Sequence, residues 1–239
     1  DAMREGFQAM DTQIGRILEQ VPKDTYTVLF SGHGMQANAL DVPSMMMLSE
    51  FMHRWQFGTP ALAPGDMAQP LRPPQTNYPQ HWKHELWKRR AADATGLASP
   101  TEQKAFALPS YSEGQIRINL QGREAQGMIP LSEYKSLCDE LCEQLHRFID
   151  ARTGKPIVKR IVRSRQSPYA DTPHALPADL LVHWEESRPT DVVEHPQFGR
   201  IGPVPFFRTG GHRSHGFLMV NGPGIEPRTT LANGKAPDI

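Results

Sequence analysis

The stretch Tyr26-Thr27-Val28-Leu29-Phe30-Ser31-Gly32-His33-Gly34-Met35 decides how the rest of the chain is read. Its first five residues are aromatic, β-branched or apolar, with no proline and no charge. Such a run predicts a buried strand, central and parallel, because strands covered on both faces lose the polar alternation of half-exposed ones. The run passes directly into Ser31-Gly32-His33-Gly34, a turn that holds one imidazole between two glycines. In open α/β sheets ligands gather at the carboxyl ends of strands. A histidine there, with no bulk on either side, can face a metal ion or a substrate. The same residues also describe a plain loop histidine at a tight turn.

Upstream, Met3, Phe7, Met10, Ile14, Ile17 and Leu18 recur at helical spacing and predict an amphipathic helix over about residues 2–20. Val21-Pro22-Lys23-Asp24 ends it. A helix feeding a buried strand is half of a βαβ unit, so the expected fold is α/β: a mixed, largely parallel sheet sandwiched by helices. Downstream, residues 36–110 read as a Pro-rich insertion around the site rather than a separate domain. Within it, Met45-Met46-Met47-Leu48 with Phe51, Met52 and Trp55 predicts a short helix after Pro43, with the methionines filling core gaps. Residues 58–79 read as irregular loop. His81 to Arg90 reads as a short basic amphipathic helix, either a solvated face or a contact for an anionic partner.

The alternation Gln115-Ile116-Arg117-Ile118-Asn119-Leu120 predicts a half-buried strand, and Pro130-Leu131-Ser132 starts a helix of about 20 residues. Leu137, Cys138, Leu141, Leu145 and Phe148 form the core stripe of that helix. Cys138, Cys142 and His146 lie on one line and invite a metal reading, but buried thiols are ordinary on such a stripe. Residues 157–162 and 180–184 read as further strands, the first antiparallel or at an edge, with His183 packed inside the second. Near the end, Gly210-Gly211-His212-Arg213-Ser214-His215-Gly216 places two histidines three apart on a glycine turn, a candidate metal-binding arrangement, before a short apolar strand and Gly222-Pro223-Gly224.

Composition bounds the alternatives. The 239 residues balance 26 basic against 26 acidic side chains, which argues against general nucleic-acid binding. No apolar run approaches the length of a membrane span. Twenty-two prolines point to long ordered loops rather than extra helices.

The order of these pieces resembles the alkaline phosphatase superfamily, in particular its type I phosphodiesterase/nucleotide pyrophosphatase-like members. The resemblance is carried by the helix around Met10–Leu18, Ser31-Gly32-His33-Gly34-Met35, Arg117-Ile118-Asn119-Leu120-Gln121-Gly122-Arg123-Glu124, Gly211-His212-Arg213 with Gly216, and Gly222-Pro223-Gly224-Ile225. It implies a metal-dependent hydrolase of phosphate esters with two Zn²⁺ ions, and it implies that His33 and His212 are metal ligands. Two such ions can hold a phosphoryl oxygen, activate a hydroxyl nucleophile and stabilise the leaving oxygen.

Three departures qualify the expectation. The family's metal-binding aspartate in the second motif is Gly32 here, and Asp41, the nearest carboxylate downstream, has no geometric reason to replace it. The family's nucleophile and early metal ligands precede the first helix and have no counterpart; Ser31, Thr209 and Ser214 do not match the nucleophile's position. The family's last helix would begin where the sequence reaches Pro237-Asp238-Ile239. The 239 residues are therefore read as one incomplete domain, an interior piece of a longer protein, inactive alone. A sulfatase or another superfamily relative, and a non-catalytic binding homologue in which Gly32 marks a lost site, are the alternative readings.

Overall fold

The computed structural model describes residues 1–62, 65–68, 102–165, 167–170, 176–204 and 209–230. In chain order they form α1 (Ala2–Leu18), β1 (Thr27–Ser31), β2 (Gly34–Ala37), a π-helical turn (Pro43–Met47), α2 (Leu48–Phe57), β3 (Ala105–Leu108), β4 (Gly114–Ile118), α3 (Leu131–His146), β5 (Ile149–Asp150), β6 (Val158–Arg163), β7 (Leu180–Trp184), β8 (Val193–His195), β9 (Gly199–Ile201), β10 (Gly210–Arg213) and β11 (Phe217–Asn221). The chain divides into two compact units. A terminal unit comprises Asp1–Gly34 and Arg213–Ile239, and a central unit comprises Met35–His212. The basic segment around His81 and His84, the proline-rich loop from residue 69 onward and Pro237-Asp238-Ile239 lie outside the described residues.

The central unit holds the core. Its sheet has the strand order β3-β4-β7-β6. β4 and β7 alternate buried and half-buried residues, as an antiparallel sheet does when it covers a core with one face. Ile116, Ile118, Leu180 and Val182 line the covered face. Against them pack the methionine-rich turn and α2, which contribute Met45, Met46, Met47, Leu48, Phe51 and Met52, and α3, which contributes Leu137, Cys138, Leu141 and Leu145. Burial raises the Cys138 thiol to a pKa of about 11, so it packs as a neutral, unreactive group. The Trp184 indole N–H donates to the Ser44 hydroxyl at 2.8 Å and ties β7 to the methionine-rich turn. A smaller sheet, β5-β8-β9, contributes Val193 and Ile201 to the same core.

Two buried ionic clusters pin the loops. In α2, Glu50 and Arg54 pair at 2.7 Å one turn apart; Arg54 also donates to the carbonyls of Phe198 and Arg200, and Glu50 accepts from the amides of Ala61 and Leu62. Beside β4 and β7, the Asp179 carboxylate is fully buried. It accepts two bonds from the Arg123 guanidinium at 2.7 Å, one from the Tyr134 hydroxyl at 2.9 Å and one from the Ile118 amide at 2.7 Å. Burial alone would lower the Arg123 pKa, but Asp179 and Glu124 outweigh it and hold the guanidinium charged. Burial and then the Asp179 charge push the Tyr134 hydroxyl well above its usual range, so it stays a neutral donor. The motif Arg117–Glu124 is therefore a structural clamp: Arg117 and Arg123 both bind Glu124, and Arg123 carries the link to Asp179.

The terminal unit is built differently. β1 pairs with β11 antiparallel, from Thr27 with Asn221 to Ser31 with Phe217. None of the residues of α1 is buried. No helix among the described residues is long and apolar enough to cross a membrane.

The expected mixed, largely parallel sheet sandwiched by helices is not the architecture. The described residues hold three α-helices and four small sheets, and the strand pairs of defined register are antiparallel. Parallel neighbours need a crossover between them. Here β1 runs through a tight turn into β2 instead of into a helix, and β6 turns back to lie antiparallel beside β7. The expected burial of the Tyr26–Phe30 run is overturned as well: Val28 is 46% exposed and Phe30 is 52% exposed. These two residues point to one face, and Leu29 on the other is 37% exposed, so neither face of the ribbon is covered. An apolar run reports what a strand could bury, not which partner reaches it. The helices fare better: α1, α2 and α3 stand where the periodicity puts them, α3 shorter than expected because Phe148 leads directly into β5.

Candidate functional site

The terminal unit brings two glycine-flanked turns together. β1 ends at Ser31, whose ladder partner is Phe217, so Gly32-His33-Gly34 and Arg213-Ser214-His215-Gly216 meet at one end of the ribbon. The approach is close enough to require glycine at two places. A side chain on Gly216 would place its first carbon 1.7 Å from the Ser31 carbonyl oxygen and 2.9 Å from the His33 amide nitrogen. One on Gly34 would fall 2.4 Å from the His215 carbonyl oxygen and 2.6 Å from the Arg213 Nε. Two turns far apart in sequence thus touch backbone to backbone. By contrast, nothing lies within 4 Å of where a Gly32 side chain would start, so an aspartate fits there sterically. The Ser31 hydroxyl donates to the His33 carbonyl at 2.6 Å and fixes the turn, and the Ser214 hydroxyl lies 3.3 Å from the His215 Nδ1.

His33 is exposed in the terminal unit. His212 is exposed on β10 and is the last residue of the central unit. Its carbonyl accepts a long bond from the Gln36 side chain at 3.5 Å, and the same amide donates to the Glu186 carbonyl at 3.2 Å. Asp41 is buried in the central unit. Its carboxylate accepts from the Asn38 side-chain amide at 2.8 Å, and the Asp41 backbone amide donates to the Asn38 side-chain Oδ1 at 3.3 Å. Asp41 therefore locks the entry to the methionine-rich turn. His146 is exposed while Cys138 is buried, so the metal reading of that helix line gains no support. His183 is half-buried on β7; burial, and then the Arg160 charge, depress its pKa.

Among the described residues no three His, Cys, Asp or Glu side chains gather into a group that could hold a metal ion. Two imidazoles and a glycine in place of a carboxylate do not fit a complete two-zinc centre, which takes three or more nitrogen and oxygen ligands per ion.

His195, which no sequence motif marks, is the most enclosed histidine of the central unit among the described residues. It is 1% exposed, with ring centroids 4.7 Å from Phe148 and from Phe198. Its Nδ1 accepts from the amides of Gln197 and Phe198 at 3.1 and 3.2 Å, so Nε2 carries the proton and donates to the Gln144 carbonyl at 3.1 Å. Both nitrogens are committed and burial lowers the pKa, so the ring is a neutral structural element. The signal was weak: a lone histidine between Glu194 and Pro196 carries no motif.

No family model matches the chain, and no solved structure matches it. Over 94 residues, 39% of its length, the chain is 28% identical to lipoyl synthase of Syntrophotalea carbinolica. The match spans 30% of that protein, so the chain covers less than a third of the curated relative it resembles.

Proposed function

We propose that the chain carries part of the site of a metal-dependent phosphohydrolase or phosphodiesterase acting on phosphate esters. The observation that carries the reading is the meeting of Ser31–Gly34, which holds His33, with Arg213–Gly216, which holds His215 and follows His212 in sequence, at the glycines Gly34 and Gly216. The resemblance of these same segments to the alkaline phosphatase superfamily supports it. The antiparallel architecture lends no support, so the reading rests on the turns alone. In this reading His33 and His212 each lend one neutral imidazole to a divalent ion, Zn²⁺ by donor type. No further ligand for either ion is assigned among the described residues.

A titration of Zn²⁺ against a chromophoric chelator tests the reading in wild type, His33→Ala and His212→Ala. Each substitution is expected to weaken binding by about tenfold or more. Wild-type affinity in both variants refutes the assignment.

One observation favours a second reading, a homologue that binds without catalysis: Gly32 stands where the resembled family has a metal-binding carboxylate. The open space around Gly32 makes the comparison clean, because Gly32→Asp meets no obstacle. Hydrolysis of bis(4-nitrophenyl) phosphate, assayed in the longest natural form of the protein, separates the two readings. Activity that rises in Gly32→Asp supports a weakened hydrolase. Absence of activity in both forms, with Zn²⁺ still bound, supports the binding role.

A further inference from the structure

We infer that Asn221-Gly222 is a site of self-modification, where the folded chain converts asparagine to aspartate and isoaspartate and so loosens the ribbon of β1 and β11. The chemistry needs no metal ion and is independent of the hydrolase reading.

The sequence supplies the reactive pair. An asparagine side-chain carbonyl can close a five-membered ring with the next backbone nitrogen. Glycine in the next place leaves that nitrogen unhindered and the backbone free to turn toward it.

The structure leaves both groups open. Asn221 is exposed at the end of β11, and its side-chain amide makes no hydrogen bond among the described residues. The Gly222 N–H has no partner among them either. Two other asparagines are buried and held: the Asn38 amide donates to the Asp41 carboxylate at 2.8 Å, and the Asn119 amide donates to the Gln103 carbonyl at 2.9 Å. They precede Ala39 and Leu120, whose side chains crowd the attacking nitrogen.

The glycine is also required by the fold. A side chain on Gly222 would place its first carbon 2.4 Å from the Tyr26 ring, and the Tyr26 hydroxyl donates to the Pro223 carbonyl at 3.1 Å. The tyrosine clamp at the open end of the ribbon thus keeps glycine at the position that makes Asn221 reactive.

A base takes the proton from the Gly222 amide nitrogen, which attacks the Asn221 side-chain carbonyl carbon. A C–N bond forms, the bond to the side-chain nitrogen breaks, and ammonia leaves with a proton, giving a succinimide. Water then opens the ring at one of its two carbonyls. One opening gives aspartate; the other gives isoaspartate, in which the main chain runs through the former side chain. No group is oxidised or reduced. The isoaspartate adds a methylene to the backbone at the residue paired with Thr27, so the even rise that the ladder needs is lost there and strains the next pair, Val28 with Val220.

The test is an incubation of the folded 239-residue chain at mildly alkaline pH, with trypsin digestion of timed samples. The peptide Ser214–Arg228 holds Asn221 apart from the second Asn-Gly pair at Asn233. Mass spectrometry with electron-transfer fragmentation separates asparagine, aspartate and isoaspartate in it, and a synthetic peptide of the same residues gives the unfolded rate. Both acids are expected in the folded chain at a rate within about tenfold of the free peptide, because neither reacting group must first break a hydrogen bond. The isoaspartate form is expected to exchange its Val28 and Val220 amides faster. Asn221→Gln keeps an amide but closes a six-membered ring far more slowly, so it should stay intact with unchanged exchange. Asn221 that survives in the folded chain after the free peptide has converted overturns the inference. A product free of isoaspartate overturns the ring mechanism, and unchanged exchange in the isoaspartate form overturns the effect on the ribbon.

Discussion

Helices α1 and α3 have the same kind of sequence and opposite fates. Each repeats apolar residues at helical spacing. In α3 those residues, Leu137, Cys138, Leu141 and Leu145, are all buried. In α1 Met3, Phe7, Met10 and Ile17 stand between 61 and 73% exposed. The same contrast separates the two units. The central unit covers its apolar residues and completes its buried polar groups, as in the Asp179 clamp, while the terminal unit leaves both its helix and its ribbon open. Periodicity therefore specifies the shape of an element, and a partner supplies its burial.

The largest effect is expected where the central unit depends on a buried charge. Asp179→Ala takes one of two acids from the Arg123 guanidinium, leaving Glu124, and removes partners from Tyr134 and the Ile118 amide. Breaking such a pair from one side costs about 3–5 kcal/mol, read as a lower urea midpoint. A loss under about 1 kcal/mol would mean that the clamp is solvated, and the contrast between the units would weaken.

Next comes the tightest of the glycine positions in the terminal unit. Gly216→Ala drives a methyl into the Ser31 carbonyl and is expected to cost about 2 kcal/mol, as overpacking does. The cost should appear as faster amide exchange at Val28 and Leu218 with the central unit unaffected. Gly32→Ala, which meets nothing within 4 Å, is the matched control and should leave exchange unchanged.

A pH titration sharpens the comparison from the central side. The folded pKa of His195 lies below its unfolded value near 6.5, so the unfolded chain binds the extra proton first. Stability is then level above about pH 7 and falls as the pH drops through 6.5, by at most about 1.4 kcal/mol per pH unit for one proton. His183, also depressed, acts in the same direction. The difference between wild type and His195→Gln isolates the buried ring, and parallel curves would show that His195 does not contribute.

The smallest effect is expected on α1. Phe7→Gln removes an apolar side chain that is 66% exposed and should change stability by no more than about 0.5 kcal/mol. A loss of 2 kcal/mol or more would show that this face is covered in solution and would break the comparison outright.

What the sequence made legible follows the range of the interactions. Helices α1, α2 and α3 and strands β4, β6, β7 and β11 arise from local spacing and stand near their expected places. Strand partners are set across the whole chain, and no local pattern records that β1 meets β11 or that β4 lies between β3 and β7. The short strands β8 and β9, three residues each, hold too few residues for alternation to register. At the candidate site the histidine turns were legible because glycine beside histidine is a rare local pattern. The close approach of Arg213 to Gly34 was not, because the ribbon brings the two together across most of the chain. Residues Arg117–Glu124 gave a strand and a turn, but their ionic clamp needs Asp179, which follows much later in the chain.

The ribbon also bears on how the protein is made. The Tyr26 hydroxyl bonds to the Pro223 carbonyl across a separation of 197 residues. A ribosome adding roughly 5–20 residues per second leaves the first strand waiting about 10–40 s for its mate. Throughout that interval an uncharged run from Tyr26 to Phe30 offers open hydrogen-bonding edges to any other nascent chain. Yield on expression should therefore depend on translation speed and on chaperones that shield extended apolar segments, more than on the stability of the finished fold.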